Sequence, residues 1–417
     1  MEVDSIPKTT ATKGEELEHA DLVIAILTEL CPEEIAVVIG GLRGLSSSIR
    51  IVVALKDGTA LLPQNNSANG EGGSNLAIIP WTALGLDMSG PPLPSISAGY
   101  QSIFAASLKL EAQACCVIAS NLENETPHWV SRFIQPVLEP GFDLVAPHFA
   151  RNKLEGLLNS AIVSPLCRSL YGSRIQNPMG PDLAISRRLF QHIVGADPNA
   201  RLKNRRIHPL ASLAPIAVCG NLKVCQVHLG ARRYPPADWM NVSSLLVEVL
   251  GPLFLDMETN AACWQRVRRT VPVADLGEPV PPSATVGAID VDRLLNSFQL
   301  GVRDLQEIWG MVLPPASLFE LRKLARLRSE QFQMPDDLWV RLVYDFALAH
   351  HLRTINRDHL LRSMTPLYLG WVASHAREVA NADAGSVEKR LGRLAIAFET
   401  GKSYLVSQWR WPDRFNP

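Results

Sequence analysis

The sequence predicts an α/β domain, in which helices flank a Rossmann-like mixed sheet, followed by an all-helical carboxy-terminal subdomain. Two observations support this fold class. In the first half of the chain, short β-branched runs alternate with helical patterns, which is typical of a sheet with crossover helices. From about residue 290 onwards, the apolar residues keep the helical period throughout. The 417 residues, of which 47% are hydrophobic, can bury one large core or two medium ones.

Three apolar runs are predicted as strands that are buried on both faces of the sheet. They cover residues 21–27, 49–55 and 114–119. A crossover helix is predicted over residues 100–113, between the second and third runs. The stretches 61–75 and 88–97 are rich in Asn, Gly, Ser or Pro and are predicted as loops.

Two helix starts are predicted from capping patterns. Thr126 can cap a helix that has Pro127 at its first position, which places a helix directly after the third strand. Ser317 and Glu320 have the spacing of a capping box, ahead of a leucine-rich face in the helical subdomain.

The texture of the sequence divides the chain into five segments. The expected segments are a disordered lead over 1–18, a sheet domain over 19–235, connecting helices over 236–270, a Pro-rich linker over 271–289 and a helical subdomain over 290–417. The linker is predicted because four prolines fall between residues 271 and 284.

The composition excludes several classes of function. Forty basic and 41 acidic residues give a net charge of -1, so the whole chain has no attraction for nucleic acid or anionic lipid. No stretch approaches the roughly 18 consecutive apolar residues of a membrane span, and residues 1–20 have neither a signal-peptide nor a transit-peptide pattern. A soluble cytoplasmic protein is therefore predicted. Its seven irregularly spaced cysteines are predicted to be reduced core thiols, without structural zinc.

Three motifs in the first half carry a resemblance to a known family. They are VIASNL at 117–122, which leads into Thr126-Pro127, GFDLVAP at 141–147, which is followed by Arg151 and Lys153, and PLCRSLYGSRIQNPMG at 165–180. VCQVHLGAR at 224–232, PLYLG at 366–370 and YLVSQW at 404–409 extend the likeness over almost the whole chain. Together these motifs resemble bacterial family-two-like glycosyltransferases, the group that includes mannosylglycerate and glucosylglycerate-type synthases.

The resemblance implies a GT-A fold with a nucleotide-sugar half, an acceptor half and a helical appendage. It also implies a Mg²⁺ or Mn²⁺ ion that neutralises the diphosphate leaving group. In the family, an Asp-x-Asp at a strand end and often a later His hold this ion. A carboxylate near the first or second strand contacts the nucleotide, and a Gly-Asp or Gly-Glu lies beside the acceptor.

The positions that match this metal site lack its ligands. Ala119, Ser120 and Asn121 stand in place of Asp-x-Asp, and Tyr234 stands in place of the later His. Hard cations need anionic oxygen ligands, which these side chains do not supply. Glu123 is either a displaced ligand or, as is more common, a solvated surface charge. We therefore expect no metal at this site, although the family uses Mg²⁺ or Mn²⁺.

Other candidate residues survive the comparison with the family pattern. Asp57 and Gly58 match a nucleotide-contacting Asp-Gly, with a plain polar turn as the alternative. Asp182 matches the acceptor-side acid and is the predicted catalytic residue. His228 is predicted to be a core residue, because a lone His on an apolar strand is seldom a ligand. The candidates for binding phosphate are Arg151, Lys153, Arg232 and Arg233, and a basic run over 201–206 is either solvated surface or a phosphate site.

Two functions remain open. The degenerate site predicts a catalytically silent or weak relative that acts as partner or regulator of an active glycosyltransferase. Alternatively, Arg and Lys side chains replace the metal, and an active enzyme moves a hexose from a nucleotide-sugar to a small glycerate-like or sugar acceptor. The expected partners are accordingly a nucleotide-sugar, a second copy of the chain or an active homologue, with neither nucleic acid nor a membrane span.

Overall fold

The computed structural model describes most of the chain. The described residues are 19–28, 31–55, 75–84, 92–120, 129–139, 141–195, 209–232, 241–281 and 289–410. The predicted lead over 1–18 and residues 61–74 of the predicted loop lie outside this part of the chain.

An eight-stranded mixed sheet lies at the centre of the first half. The strands are β1 (Leu22–Ile26), β2 (Ile51–Leu55), β3 (Leu76–Pro80), β4 (Ala114–Ile118), β5 (Leu144–Ala150), β6 (Leu183–Ser186), β7 (Val224–Ala231) and β8 (Ala274–Leu276). Their order in the sheet is β3-β2-β1-β4-β6-β5-β7-β8. Strand β6 is antiparallel to β4 and β5, and every other neighbouring pair is parallel.

Helices cover both faces of the sheet and build the second half. In chain order they are α1 (Pro32–Ser46), α2 (Pro92–Lys109), α3 (Trp129–Leu138), α4 (Ser164–Tyr171), α5 (Arg187–Gly195), α6 (Pro209–Cys219), α7 (Val242–Thr259), α8 (Ala261–Trp264), α9 (Val291–Asp304), α10 (Gln306–Val312), α11 (Pro315–Leu324), α12 (Asp336–Leu352), α13 (Arg357–Ser363), α14 (Thr365–Glu378) and α15 (Ala384–Arg410). Short 3-10 turns lie at Trp81–Leu84 and Ser329–Gln331, and a π-helical segment, Asn159–Val163, leads into α4.

The sheet has a separate apolar core on each face. Residues of α1 and α3 pack on one face, and residues of α2, α5 and α6 pack on the other. The three predicted strands correspond to β1, β2 and β4, whose residues are all buried. The predicted fold class, a mixed sheet flanked by helices and followed by a helical region, is confirmed.

A third core joins the helical second half to the first half. It contains residues of α9 to α15 together with α4 and α7. The Trp339 ring stacks on Trp371 at a centroid distance of 5.9 Å, and its indole N–H donates to the Ala161 carbonyl over 3.0 Å. Because Ala161 lies in the π-helical segment before α4, this bond ties the helical region directly to the segment that follows β5.

Two local predictions are wrong. Residues 92–97 belong to α2 rather than to the predicted loop, since proline is tolerated in the first turn of a helix. Ser317 does not cap its helix, because α11 begins with Pro315 at its first position and Pro314 as the cap. The Ser317 hydroxyl is instead buried inside the first turn.

Part of the Pro-rich segment predicted as a linker belongs to the sheet. Ala274–Leu276 forms β8, which pairs in parallel with residues 225–227 of β7. The sheet therefore ends in a strand that comes from beyond the connecting helices.

A disulfide links α6 to α8. Cys219 and Cys263 are bonded, with their Cα atoms 6.0 Å apart, whereas the other five cysteines carry thiols. The prediction that all cysteines are reduced is therefore wrong for this pair. Sequence spacing could not reveal the pair, because 44 positions separate the two residues. Among the described helices, none is long and apolar enough to cross a membrane.

The disulfide can be counted by thiol labelling. We expect iodoacetamide to label five cysteines per chain in denaturant without reductant, and seven after reduction, as measured by intact mass. Seven labels on unreduced protein would show that Cys219 and Cys263 are not joined.

Asp256 makes stability depend on pH. It is 2% exposed and accepts hydrogen bonds from the Tyr171 hydroxyl over 2.7 Å and from the Asn260 amide over 3.0 Å. Burial raises its pKa to about 6, above the roughly 3.9 of an exposed Asp. Since the folded state holds this proton more tightly, the stability it contributes is complete below about pH 4 and is lost as the pH rises through about 6.

The Asp256→Asn variant should lose this pH dependence. Relative to the variant, the wild-type free energy of unfolding should fall by about 2 kcal/mol between pH 4 and pH 7, in urea titrations at several pH values. Asp337→Asn, at an exposed position in the first turn of α12, is the control and should leave the wild-type profile unchanged. Parallel profiles for the wild type and Asp256→Asn would contradict the assignment.

Candidate functional site

Asp182 accepts hydrogen bonds from the two residues that follow β4. Its Oδ1 accepts hydrogen bonds from the Ala119 and Ser120 backbone N–H groups over 2.8 and 2.9 Å, and its Oδ2 accepts one from the Ser120 hydroxyl. The carboxyl is 4% exposed. The predicted position of Ala119 and Ser120 at a strand end is confirmed, and Asp182 binds the positions where the family resemblance places metal ligands.

Burial dominates the electrostatics of this group. Loss of solvent raises the pKa of Asp182, while the Ser120 and Ala119 hydrogen bonds and the nearby charge of Arg232 act to lower it. Tyr100, on α2, donates its hydroxyl hydrogen to the Pro181 carbonyl next to Asp182. Burial, followed by the Asp182 charge, raises the pKa of Tyr100, so this phenol remains neutral.

The described residues of this site do not fit the Mg²⁺ or Mn²⁺ ion of the family. Ala119 has no ligand atom, and the Ser120 hydroxyl donates its hydrogen to Asp182. Both Asp182 oxygens already accept hydrogen bonds from the protein. A hard cation here would find one carboxylate, and three of its roughly four acceptor positions already hold hydrogen bonds from the protein.

Three of the predicted phosphate-binding residues lie in the described part of the chain, and each has its own surroundings. The Lys153 ammonium donates to the Ala380 carbonyl in the helical region. Arg151 folds over Gly156, where an added Cβ would lie 2.9 Å from the Arg151 guanidinium. Arg232 is the member of this group that lies near Asp182.

Several predicted positions lie outside the described residues, and their roles stay predictions. They are Asp57, Gly58, Asn121, Glu123, Arg233, Tyr234 and the basic run over 201–206.

A second polar cluster lies on strands β5, β7 and β8. The Asp275 carboxylate is 2.9 Å from the His148 Nδ1 atom and 3.3 Å from the His228 Nε2 atom. The two imidazole rings stack with their centroids 4.1 Å apart. His228 is therefore part of a polar cluster and not the lone core histidine that the sequence predicts.

Sequence reasoning missed this cluster because its members are distant along the chain. His148 and His228 come together as direct register partners of β5 and β7, and Asp275 belongs to β8, which was predicted as linker. The one available signal was that each of two apolar runs contains a histidine. These runs are PHF at 147–149 and VHL at 227–229. That signal does not identify the carboxylate.

Comparison with known proteins finds solved structures only. No protein-family model and no curated protein matches the chain. Mannosyl-3-phosphoglycerate synthase from Rubrobacter xylanophilus is 15% identical over 61% of this chain and 79% of its own, with a TM-score of 0.38. Glucosyl-3-phosphoglycerate synthase from Mycobacterium tuberculosis, in complex with phosphoglyceric acid, is 16% identical over 58% of this chain and 82% of its own, with a TM-score of 0.34.

The M. tuberculosis synthase also matches as a complex with Mn²⁺, uridine-diphosphate-glucose and phosphoglyceric acid. That match is 16% identical over 65% of this chain and 96% of the other, with a TM-score of 0.33. These solved structures are GT-A glycosyltransferases.

Ser120→Ala tests the network around Asp182. The substitution removes a hydrogen bond to a buried carboxyl, which should cost about 2 kcal/mol of unfolding free energy. Ser107→Ala is the matched control, because the Ser107 hydroxyl is equally buried but donates to the neutral Ile103 carbonyl of its own helix. The control should cost less in the same urea titrations. Equal losses for the two variants would show that the bond to Asp182 has no special weight.

Proposed function

We propose that this chain is a glycosyltransferase-like protein that is silent or weak in sugar transfer and acts as a partner or regulator of an active glycosyltransferase. One observation carries the proposal. The carboxyl of Asp182, the predicted catalytic acid, is held by Ala119 and Ser120 at the predicted metal position. The acid that the resemblance places beside the acceptor is thus hydrogen-bonded to the segment where the resemblance places the metal ion.

The geometry of this network supports a structural role for it. Asp182 directly precedes β6, and Ala119 directly follows β4, which is its antiparallel neighbour. The three hydrogen bonds therefore fasten the ends of two adjacent strands. A general base or acid must reach the proton that it transfers, and a 4% exposed carboxyl with both oxygens occupied is poorly placed to do so.

A metal-independent transferase is the second candidate, and Arg232 favours it. Its charge acts on both Asp182 and Tyr100, which supports a cation near the strand-end site. A guanidinium there can stabilise a diphosphate leaving group without a metal. Lys153 gives this candidate no support, because its ammonium is bonded to the Ala380 carbonyl.

Transfer assays separate the two candidates. The donors are uridine-diphosphate-glucose and a nucleotide-mannose, the acceptors are glycerate and phosphoglyceric acid, and nucleoside diphosphate release is measured with and without Mn²⁺. We expect at most trace release from the wild-type protein. The M. tuberculosis synthase serves as the positive control. Wild-type turnover of around 1 per second or faster would overturn the silent role, and Arg232→Met should then abolish the activity.

Partial repair should restore little activity. The double variant Ala119→Asp, Asn121→Asp supplies two carboxylates, but Asp182 and Ser120 remain bonded and Tyr234 still stands at the third ligand position. Because groups in such a site act as a unit, we expect weak Mn²⁺ binding and trace transfer in the same assay. Full activity of the double variant would show that the missing carboxylates were the only defect.

The partner role has its own test. Increasing amounts of the chain are added to an active synthase of this kind, and the initial rate of transfer is measured. A saturating change in rate, with co-elution in gel filtration, is the expected result. An unchanged rate without co-elution would exclude that synthase as the partner and would leave the transfer result unaffected.

A further inference from the structure

His148, His228 and Asp275 lie on one face of the sheet, near the edge that β8 forms. They come from the adjacent strands β5, β7 and β8. His148 and His228 are direct register partners. Asp275 pairs with Gln226, which is two residues before His228 and therefore on the same face of β7. Since side chains alternate between faces, the three residues project to the same side.

The donor atoms of these residues have the spacing of ligands around one ion. One ligand atom from each residue can be chosen so that all lie within 4.8 Å of one another. The Asp275 carboxylate is 2.9 Å from the His148 Nδ1 and 3.3 Å from the His228 Nε2. Neighbouring ligands of a tetrahedral ion with bonds of 2.0–2.1 Å lie about 3.3 Å apart. The strands therefore place the atoms where binding requires only small side-chain movements.

The backbone holds this arrangement by a bulge and by glycines. The register of β5 and β7 shifts directly after the His148–His228 pair, where Leu229 is the extra residue of β7. Gly230 follows with a φ of +88°, which a residue with a Cβ rarely adopts. Gly277, with a φ of +85°, ends β8 close to His228. Bulges of this kind occur next to functional sites because they redirect side chains.

We propose that His148, His228 and Asp275 form a binding site for a borderline divalent transition-metal ion of the Zn²⁺ class. Two imidazoles and one carboxylate are a ligand set that Zn²⁺ uses when a fourth position is left to solvent. The partial exposure of all three residues allows such a solvent ligand, with side-chain exposures of 24% for His148, 13% for His228 and 36% for Asp275. The ion would link the edge strand β8 to β7 and β5.

This site is distinct from the strand-end site around Asp182. Its ligands come from β5, β7 and β8, whereas the strand-end site joins β4 and β6. None of these ligands stands at a position where the resemblance implies a metal ligand. The proposal therefore does not rest on sugar transfer. Its ligand set also differs in chemistry, because imidazole nitrogen favours Zn²⁺ over Mg²⁺ and Mn²⁺.

Metal titration of the full chain tests the site. Every protein carries Cys31→Ser, which removes the exposed thiol as a competing ligand. Zn²⁺ is titrated against a chelator of known affinity, and Co²⁺ is followed by its visible absorption. We expect one tight equivalent of Zn²⁺, a four-coordinate Co²⁺ spectrum and a higher Tm with Zn²⁺, since an ion that binds only the folded state stabilises it.

The variants His228→Ala and Asp275→Asn should each weaken Zn²⁺ binding at least tenfold and remove the zinc-dependent rise in Tm. Asp275→Asn keeps the shape and polarity of the side chain but removes its anionic ligand. His192→Ala is the matched control, because His192 is an exposed histidine on α5 outside the cluster. Equal affinity in the wild type, Asp275→Asn and His192→Ala would overturn the proposal.

A measurement on protein without a cluster substitution covers the case in which His228→Ala fails to fold. Diethyl pyrocarbonate modifies accessible imidazoles, and peptide mass spectrometry locates the modified residues. Zn²⁺ should protect His148 and His228 and leave His192 reactive. Equal modification of the three histidines with and without Zn²⁺ would also overturn the proposal.

Discussion

Asp182 accepts three hydrogen bonds from the two residues that follow β4. The junction of β4 and β6 in the middle of the sheet depends on this contact. A buried carboxyl is costly unless donors compensate for the lost water, and here two backbone N–H groups and one hydroxyl do so. The contact fixes where β4 ends and where β6 begins, which is the point at which the sheet changes from parallel to antiparallel. Through the bond from Tyr100 to Pro181, it also positions α2.

The same contact bears on function because a carboxylate has limited capacity as an acceptor. An acid that accepts three hydrogen bonds from the protein keeps little capacity for a further donor or a cation. At the strand end, the donors to this acid are the Ala119 and Ser120 backbone N–H groups and the Ser120 hydroxyl. In this chain these acceptor positions serve the junction of β4 and β6.

Local patterns in the sequence predicted the parts of the fold that depend on local burial. The strands β1, β2 and β4 are buried on both faces and read as continuous apolar runs, whereas the half-buried β3 and the three-residue β8 have no such signal. The strand-end position of Ser120 could be predicted, but its bond to Asp182 could not, since 62 positions separate them. The histidine cluster and the disulfide were missed for the same reason, because residue spacing carries no information on which strands or helices become neighbours.

The bulge in β7 relates the two polar regions of the sheet. Strict alternation along β7 would place His228 and Arg232 on the same face, because an even number of positions separates them. After the register shift, Phe149 pairs with Gly230 and Ala150 with Ala231, so the residues beyond Gly230 face the opposite way relative to β5. Arg232 lies one position beyond β7, and its charge acts on Asp182. The bulge therefore lies in the chain between a residue of the histidine cluster and a residue whose charge reaches the strand-end carboxyl.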